Sequence, residues 1–284
     1  MKLGVHSFLW TKYFDESHLH ILPTLKKHGF DGIEIARYQF DNFPAKAIGT
    51  AIRAEGLECT LCCGLTGEWN LISEDKAVRQ KTLNFLKGLI DIAFDLGSER
   101  IVGPLCAPLG YFTGKRRTAQ EWQWAIEGLQ EFGDLLAQTD ITFALEPLNR
   151  YQSYFLNTTA DGVDLFREID RLNMGILFDV FHANIEEKNI SRAIDLAGNS
   201  LKHFHACGND RGVPGDDHLP WDDMFSTLHK IDYNGWITIE SFNFLDEDIY
   251  PGAKIWRDVA ETPVQIAFEG AKFLKPYLRG IRTK

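Results

Sequence analysis

Four short apolar runs each end on a residue able to hold a metal ion. FALE ends on Glu146, ILFD on Asp179, KHFH on His205 and ITIE on Glu240. An acid at the end of an apolar strand is costly to bury without a partner. Taken singly, each is an ordinary polar residue at a strand–loop boundary. Four on successive runs form a set. Three carboxylates and one imidazole suit one divalent ion, with Mn²⁺ the first choice and Mg²⁺ or Co²⁺ open. Four protein ligands leave positions for two substrate oxygens. His203 shares a face with His205, because strand side chains alternate with period two, and it reads as a hydrogen-bonded core histidine one layer deeper. Cys59 and Cys62 form a CxxC inside an apolar run, with no helix N-terminus and no second ligand pair, so they read as packing cysteines.

The ligand set needs a scaffold that brings four strand ends together. Short apolar runs alternate with longer amphipathic segments along the whole chain. The runs read as strands at Leu3–His6, Gly32–Ala36, Glu58–Cys63, Arg100–Val102, Thr142–Glu146, Gly175–Asp179, Leu201–His205 and Trp236–Glu240. Their continuous apolar character suits parallel strands buried on both faces. Helices are expected at Glu16–His28, Pro44–Glu55, Glu74–Leu96, Gln120–Thr139, Thr159–Leu172, Ile190–Leu196, Pro220–Lys230 and Thr262–Leu278. Gly29 and Gly56 stand where left-handed C-caps are wanted, and Ser73-Glu74-Asp75 supplies a cap residue and first-turn acids. Eight such units make an α/β fold, a (β/α)8 TIM barrel. No glycine-rich dinucleotide fingerprint follows the first strand, which weighs against a doubly wound sheet. No linker or low-complexity stretch divides the chain, so one domain over residues 1–284 is expected. In a barrel the four strand ends converge at the C-terminal mouth, and Pro104–Arg117 is the long loop over that mouth after the fourth strand.

Composition bounds the partners. The 284 residues carry 30 Lys and Arg against 40 Asp and Glu, a net charge of −10. That balance opposes nonspecific nucleic-acid or anionic-membrane binding. Residues Leu3–Trp10 are too short and too polar for a signal-peptide core, and no window is apolar enough for a membrane span. A cytoplasmic protein is expected. Five cysteines without a secretory signal do not suggest a disulfide framework.

From Ala144 to Trp221 the chain resembles the D-tagatose 3-epimerase/D-psicose (allulose) 3-epimerase family of xylose-isomerase-like barrels. The words are LEPLNRYQ (Leu145–Gln152), LNT (Leu156–Thr158), FDVFHANIEE (Phe178–Glu187), KHFHACGNDRGVPG (Lys202–Gly215) and LPW (Leu219–Trp221). GFDGIEI at Gly29–Ile35 and IWRD at Ile255–Asp258 extend the likeness over nearly the whole chain. The resemblance implies that Glu146, Asp179, His205 and Glu240 are metal ligands and that Glu146 and Glu240 are the two catalytic carboxylates. It further implies that His182 and Arg211 bind substrate oxygens near the C1–C2 end, and that Trp10 is an aromatic flanking the substrate. Gly64 and Leu65 fall in a similar turn, and Gly103-Pro104-Leu105 in the loop after the fourth strand. A dimer or tetramer acting on a small keto-sugar is implied too. Two positions depart from the family pattern. Gln152 stands where the better-known ketose epimerases have glutamate, keeping hydrogen-bonding reach without charge. Ser241 stands where they have proline.

The chemistry expected is epimerisation of a ketose at C3. A proton leaves one face of the carbon and returns on the other, so two bases must flank it. Glu146 and Glu240, on the fifth and eighth strands, are separated around the barrel wall. Gln152 raises an alternative: isomerisation or epimerisation of another keto-sugar, such as a 3-keto-glycoside, an inositol derivative or a hydroxypyruvate-like substrate. A metal-dependent endonuclease would want a basic mouth and further ligands. A non-catalytic sugar-binding barrel would not need paired glutamates. No phosphate-binding glycine motif is evident, which favours free sugars.

Overall fold

The computed structural model describes residues 1–279; the expected single domain extends over residues 280–284, which lie outside the described residues. Eight parallel strands run β1 (Lys2–Val5), β2 (Gly32–Ala36), β3 (Glu58–Cys62), β4 (Arg100–Gly103), β5 (Thr142–Leu145), β6 (Met174–Asp179), β7 (Leu201–Ala206) and β8 (Trp236–Ile239). From β2 to β8 each strand pairs with its sequence neighbours, and β8 pairs with β1. The seam between β1 and β2 is closed largely by substitution. A single bridge joins His6 to Glu34. The Asp31 carboxylate accepts the Leu3 N–H at 2.7 Å, and Ser7 Oγ accepts the Ala36 N–H at 2.9 Å. The result is a (β/α)8 TIM barrel with helices outside.

The expected strands all form, each end within a residue of its expected place. Most strand residues are buried, as expected when an inner face meets the barrel core and an outer face meets helices. The helices are α1 (Leu22–Lys27), α2 (Ala45–Ala54), α3 (Lys76–Leu96), α4 (Ala119–Leu136), α5 (Thr159–Ile169), α6 (Val180–Glu186), α7 (Ile190–Ala197), α8 (Trp221–Lys230), α9 (Tyr250–Ala253) and α10 (Pro263–Leu278). The first expected helix divides. Residues 16–21 wind as a 3₁₀ helix and only Leu22–Lys27 are α-helical. Pro23 has no N–H to give the carbonyl four residues back, so the α ladder cannot run through it. Asp75, expected in a first turn, is itself the cap of α3, accepting the Ala77 N–H at 2.7 Å. Gly29 and Gly56 take φ of +69° and +66°, as end-of-helix glycines do. The short α6 was not expected; it starts directly from the end of β6.

The two cysteines of the CxxC separate by strand geometry. Residues three apart on a strand face opposite ways. Cys59 packs in the shell between barrel and helices, while Cys62 lies with Phe8, Ala36, Val102, Ala144 and Leu177 inside the barrel. All five cysteines are buried free thiols. Burial pushes the Cys59 thiol up to about 12.

Candidate active site

The strand register decides which side chains share the mouth. On β6, Leu177 and Asp179 face inward; beyond β5, Glu146 follows Ala144 on the same face; His205 follows His203 on β7; Glu240 follows Thr238 after β8. Backbone hydrogen bonds carry two of these positions just past their strands. The Glu146 N–H donates to the Gly103 carbonyl at 3.1 Å, and the Glu240 N–H to the Ala206 carbonyl at 3.1 Å. Gly103 has φ +120°, and a Cβ there would lie 2.2 Å from the Cys63 carbonyl oxygen, so only glycine can end β4 beside Glu146.

Glu146, Asp179, His205 and Glu240 each offer one ligand atom, and those atoms all lie within 4.8 Å of one another. All four residues are buried. His205 Nδ1 has no hydrogen-bond partner among the described residues, although Glu240 Oε2 is 3.3 Å away. A buried, unsatisfied ring nitrogen beside three carboxylates fits a metal-ligating role. Asp179 divides its oxygens: Oδ1 caps α6 by accepting the Phe181 N–H at 2.7 Å, and Oδ2 accepts from Arg211 Nη1 at 2.7 Å.

Charge is distributed unequally over the carboxyls. Burial, then the charges of Glu240 and Asp179, pushes the Glu146 carboxyl well above the carboxylate range. Burial also works against charge on Glu240, but Arg211 and His205 outweigh it and hold that carboxyl well below the usual range. Burial raises Asp179 to about 6 against the pull of Arg211. Two carboxyls pushed in opposite directions suit an acid and a base.

His182 and Arg211 also enter this space. The His182 Nδ1 accepts from the Asn149 backbone N–H at 3.1 Å, so its Nε2 is the donor and lies 3.4 Å from Glu146 Oε1. Arg211 Nη1 reaches Glu240 Oε2 at 2.5 Å as well as Asp179, and its guanidinium lies over Phe181 at 4.3 Å. Arg211 takes φ +71°, an uncommon conformation for a residue with a Cβ. The Ser241 hydroxyl donates to its carbonyl at 2.5 Å. A proline at 241 could not make that bond. The α6 Glu186 carboxylate grips Arg150 with two bonds of 2.9 Å, fixing the loop that carries Gln152.

A cavity of about 390 Å³ opens above the cluster. Gly64, Gln152, His182 and Arg211 line it, together with Glu146 and Glu240. A Cβ on Gly64 would lie 2.9 Å from the Tyr38 ring, so the wall there is bare backbone. Leu65 is fully buried and is not among the lining residues; its N–H and carbonyl instead tie down Pro104 and Leu109. Trp10 is not among the lining residues either. It follows the 3₁₀ turn Ser7–Leu9, which sends Phe8 to the cavity instead. Phe8, Tyr38 and Phe242 form the aromatic wall, Phe8 lying 5.6 and 5.8 Å from the other two rings.

Three polar residues at this site were not expected from the sequence. His6 Nε2 lies 3.7 Å from Glu240 Oε1, and burial lowers its pKa to about 4, keeping it neutral. Asn149 sets the His182 tautomer. Glu34, wholly buried on β2, lies beneath the cluster and accepts from His205 Nε2 at 2.7 Å. The signal for Glu34 was present in GFDGIEI, as an acid inside an apolar strand. His203 does lie one layer down, 2.9 Å from Glu34 and 3.2 Å from Thr238 Oγ1.

A barrel with acids and a histidine at its C-terminal mouth defines a class, and the comparisons agree. Residues 22–276 match the xylose isomerase-like TIM barrel family, and the chain belongs to it. Within it the chain belongs with the ketose 3-epimerases. It is 38% identical to a Synechocystis sp. protein named "Probable ketose 3-epimerase", over 97% of this chain and 96% of that one. A solved structure of L-ribulose 3-epimerase superposes with a TM-score of 0.92 at 27% identity, covering 99% of this chain and 95% of that chain. The 3-dehydro-D-guloside 4-epimerase of Escherichia coli is 30% identical over 84% of this chain and 92% of that protein. The chain is thus an enzyme of the sugar epimerase and isomerase class.

Proposed function

We propose that this enzyme epimerises a free ketose at C3, using Glu146 and Glu240 as the two proton-carrying groups and one divalent ion, Mn²⁺ first, held by Glu146, Asp179, His205 and Glu240. The carrying observation is the pair itself: carboxyls from β5 and β8 reach one cavity floor, with ligand atoms within 4.8 Å of each other. The ion, when bound, polarises the substrate's carbonyl and neighbouring hydroxyl as charge develops. The remaining work falls to the chain. The ionised glutamate removes the C3 proton, giving an enediolate; the protonated one delivers a proton to the opposite face. Positioned acid–base catalysis of this kind contributes typically about 10²–10⁴-fold. His182 Nε2–H and Arg211 hold the oxygens at the C1–C2 end, and Phe8, Tyr38 and Phe242 exclude water from the apolar side. Gln152 hydrogen-bonds the sugar without adding charge. Assembly as a dimer or tetramer belongs to the same reading.

The test is to strip the protein with a chelator, restore Mn²⁺, and offer fructose, psicose, tagatose, sorbose and the ribuloses. Metal-dependent formation of a C3 epimer supports the reading. Aldose formation, or no turnover of any free ketose with metal bound, contradicts it. Gln152, and the relative acting as a 3-dehydro-D-guloside 4-epimerase, support a second reading in which the substrate is an oxidised glycoside. The same assay with 3-keto-glycosides separates the two.

A further inference from the structure

Glu34 has no part in the proton transfers, yet it is a fully buried carboxylate with three hydrogen bonds. Oε1 accepts from His205 Nε2 at 2.7 Å. Oε2 accepts from Thr60 Oγ1 at 2.6 Å and lies 2.9 Å from His203 Nε2. A buried carboxylate is expensive without partners, and here they are His205 of the ligand cluster and, one layer below it, His203 and Thr60. His205 therefore spends Nε2 on Glu34 and leaves Nδ1, buried and without a hydrogen-bond partner among the described residues, facing Glu146, Asp179 and Glu240.

We infer that Glu34 is a positioning residue: it fixes the proton of His205 on Nε2 and the ring plane with it, so that Nδ1 is presented bare to the metal. The inference rests on the reading of the cluster as a metal site. A ligating histidine commonly gives its other ring N–H to a carboxylate, and losing that carboxylate typically costs about 10–100-fold in metal affinity. Glu34 does this from across the barrel interior, three strands away. It stands on β2 and His205 on β7, and its carboxylate crosses the interior just beside the seam that the His6–Glu34 bridge closes. Its second oxygen lies 2.9 Å from His203, which keeps the acceptor from swinging away from His205. Thr60 is the internal control. It touches Glu34 but is not in contact with His205 by any hydrogen bond.

The experiment measures Mn²⁺ affinity from the free-ion electron paramagnetic resonance signal for the wild type, Glu34→Gln, Glu34→Leu and Thr60→Val. It is paired with long-range proton–nitrogen NMR of the imidazoles in the wild type loaded with Mg²⁺. Expected are a hydrogen-bonded His205 Nε2–H that persists with Mg²⁺ bound, and a Mn²⁺ affinity reduced about 10–100-fold in Glu34→Leu. Glu34→Gln should fall in between, because its amide can still accept from one histidine, and Thr60→Val should change affinity by less than about threefold. The NMR measurement needs no variant, so failure of Glu34→Leu to fold leaves the inference open to refutation. A His205 that carries its proton on Nδ1, or binds Mg²⁺ through Nε2, overturns it. So do unchanged affinities in the folded Glu34 variants. A wild type that binds neither ion overturns the metal reading itself, a result distinct from wild-type binding with unaffected variants.

Discussion

The two halves of the barrel divide the labour. Strands β5 to β8 end in the four candidate ligands, and the segments after them bring His182 on α6 and Gln152 and Arg211 on loops. Strands β1 to β4 end in no candidate ligand of that cluster. They contribute His6, Phe8, Tyr38 and Gly64 to the cavity wall, and Glu34 to the layer beneath. On the proposed function, reaction chemistry sits on one half, and the other shapes and braces it. The difference teaches how a symmetric fold becomes an asymmetric site. The four candidate ligands stand at or just past the ends of β5 to β8, while Ala36, Cys62, Val102, Ala144 and Leu177 pack together inside the barrel.

Breaking the reactive half should have the largest effect. Glu240→Gln and Glu146→Gln should each lower kcat by about 10³–10⁴-fold, since a general base and a ligand charge are lost together. Either variant within tenfold of wild type would remove the two-base assignment. Acid should weaken the same half next. Asp179 is raised to about 6, and Glu146 is raised as well. A metal must displace any proton from its ligands, so Mn²⁺ affinity should rise with pH through about 6 and keep rising until Glu146 has ionised too. Calorimetry from pH 5 to 8 reads this; an affinity flat across that range contradicts it.

Smaller effects sharpen the contrast. Ser241→Ala removes the bond that steadies the left-handed backbone of Arg211. One buried hydrogen bond is worth about 1 kcal/mol, so KM should rise about fivefold with kcat nearly kept. An unchanged KM would mean that Arg211 holds its place unaided. On the bracing half, Gly64→Ala should narrow the cavity by pressing on Tyr38 and raise KM severalfold with Mn²⁺ affinity unchanged. Smallest of all, Cys59→Ala should leave both kinetics and metal affinity untouched and lower stability by about 1 kcal/mol, because Cys59 faces the outer shell. An effect of Cys59→Ala on metal binding would break the face assignment of the CxxC.

The reactive half was also the more legible one. FALE, ILFD, KHFH and ITIE stand out because an apolar run closing on an acid or imidazole has no cheap structural explanation. Period-two alternation then placed His203 below His205 correctly. The bracing half left weaker marks. Glu34 sits inside GIEIA, where a single acid in a strand looks like ordinary inward–outward alternation, and its partners His203 and His205 are some 170 residues away along the chain. Trp10 and Phe8 both lie just after β1, and only the 3₁₀ turn decides which ring faces the cavity. Short α6 was missed because its cap is Asp179, already read as the end of a strand. Arg211 stands next to Asp210 in the sequence, yet Asp210 pairs with Arg257 and Arg211 turns inward to Asp179.

The most direct test of the two-carboxyl account is isotopic. Turnover of the preferred ketose in D₂O should be stopped early, and substrate and product examined by proton NMR. Two groups on opposite faces predict a product deuterated at C3 beside recovered substrate that still carries its C3 proton. Product that keeps protium at C3, or deuterium appearing at C1, would contradict proton exchange between Glu146 and Glu240 across C3.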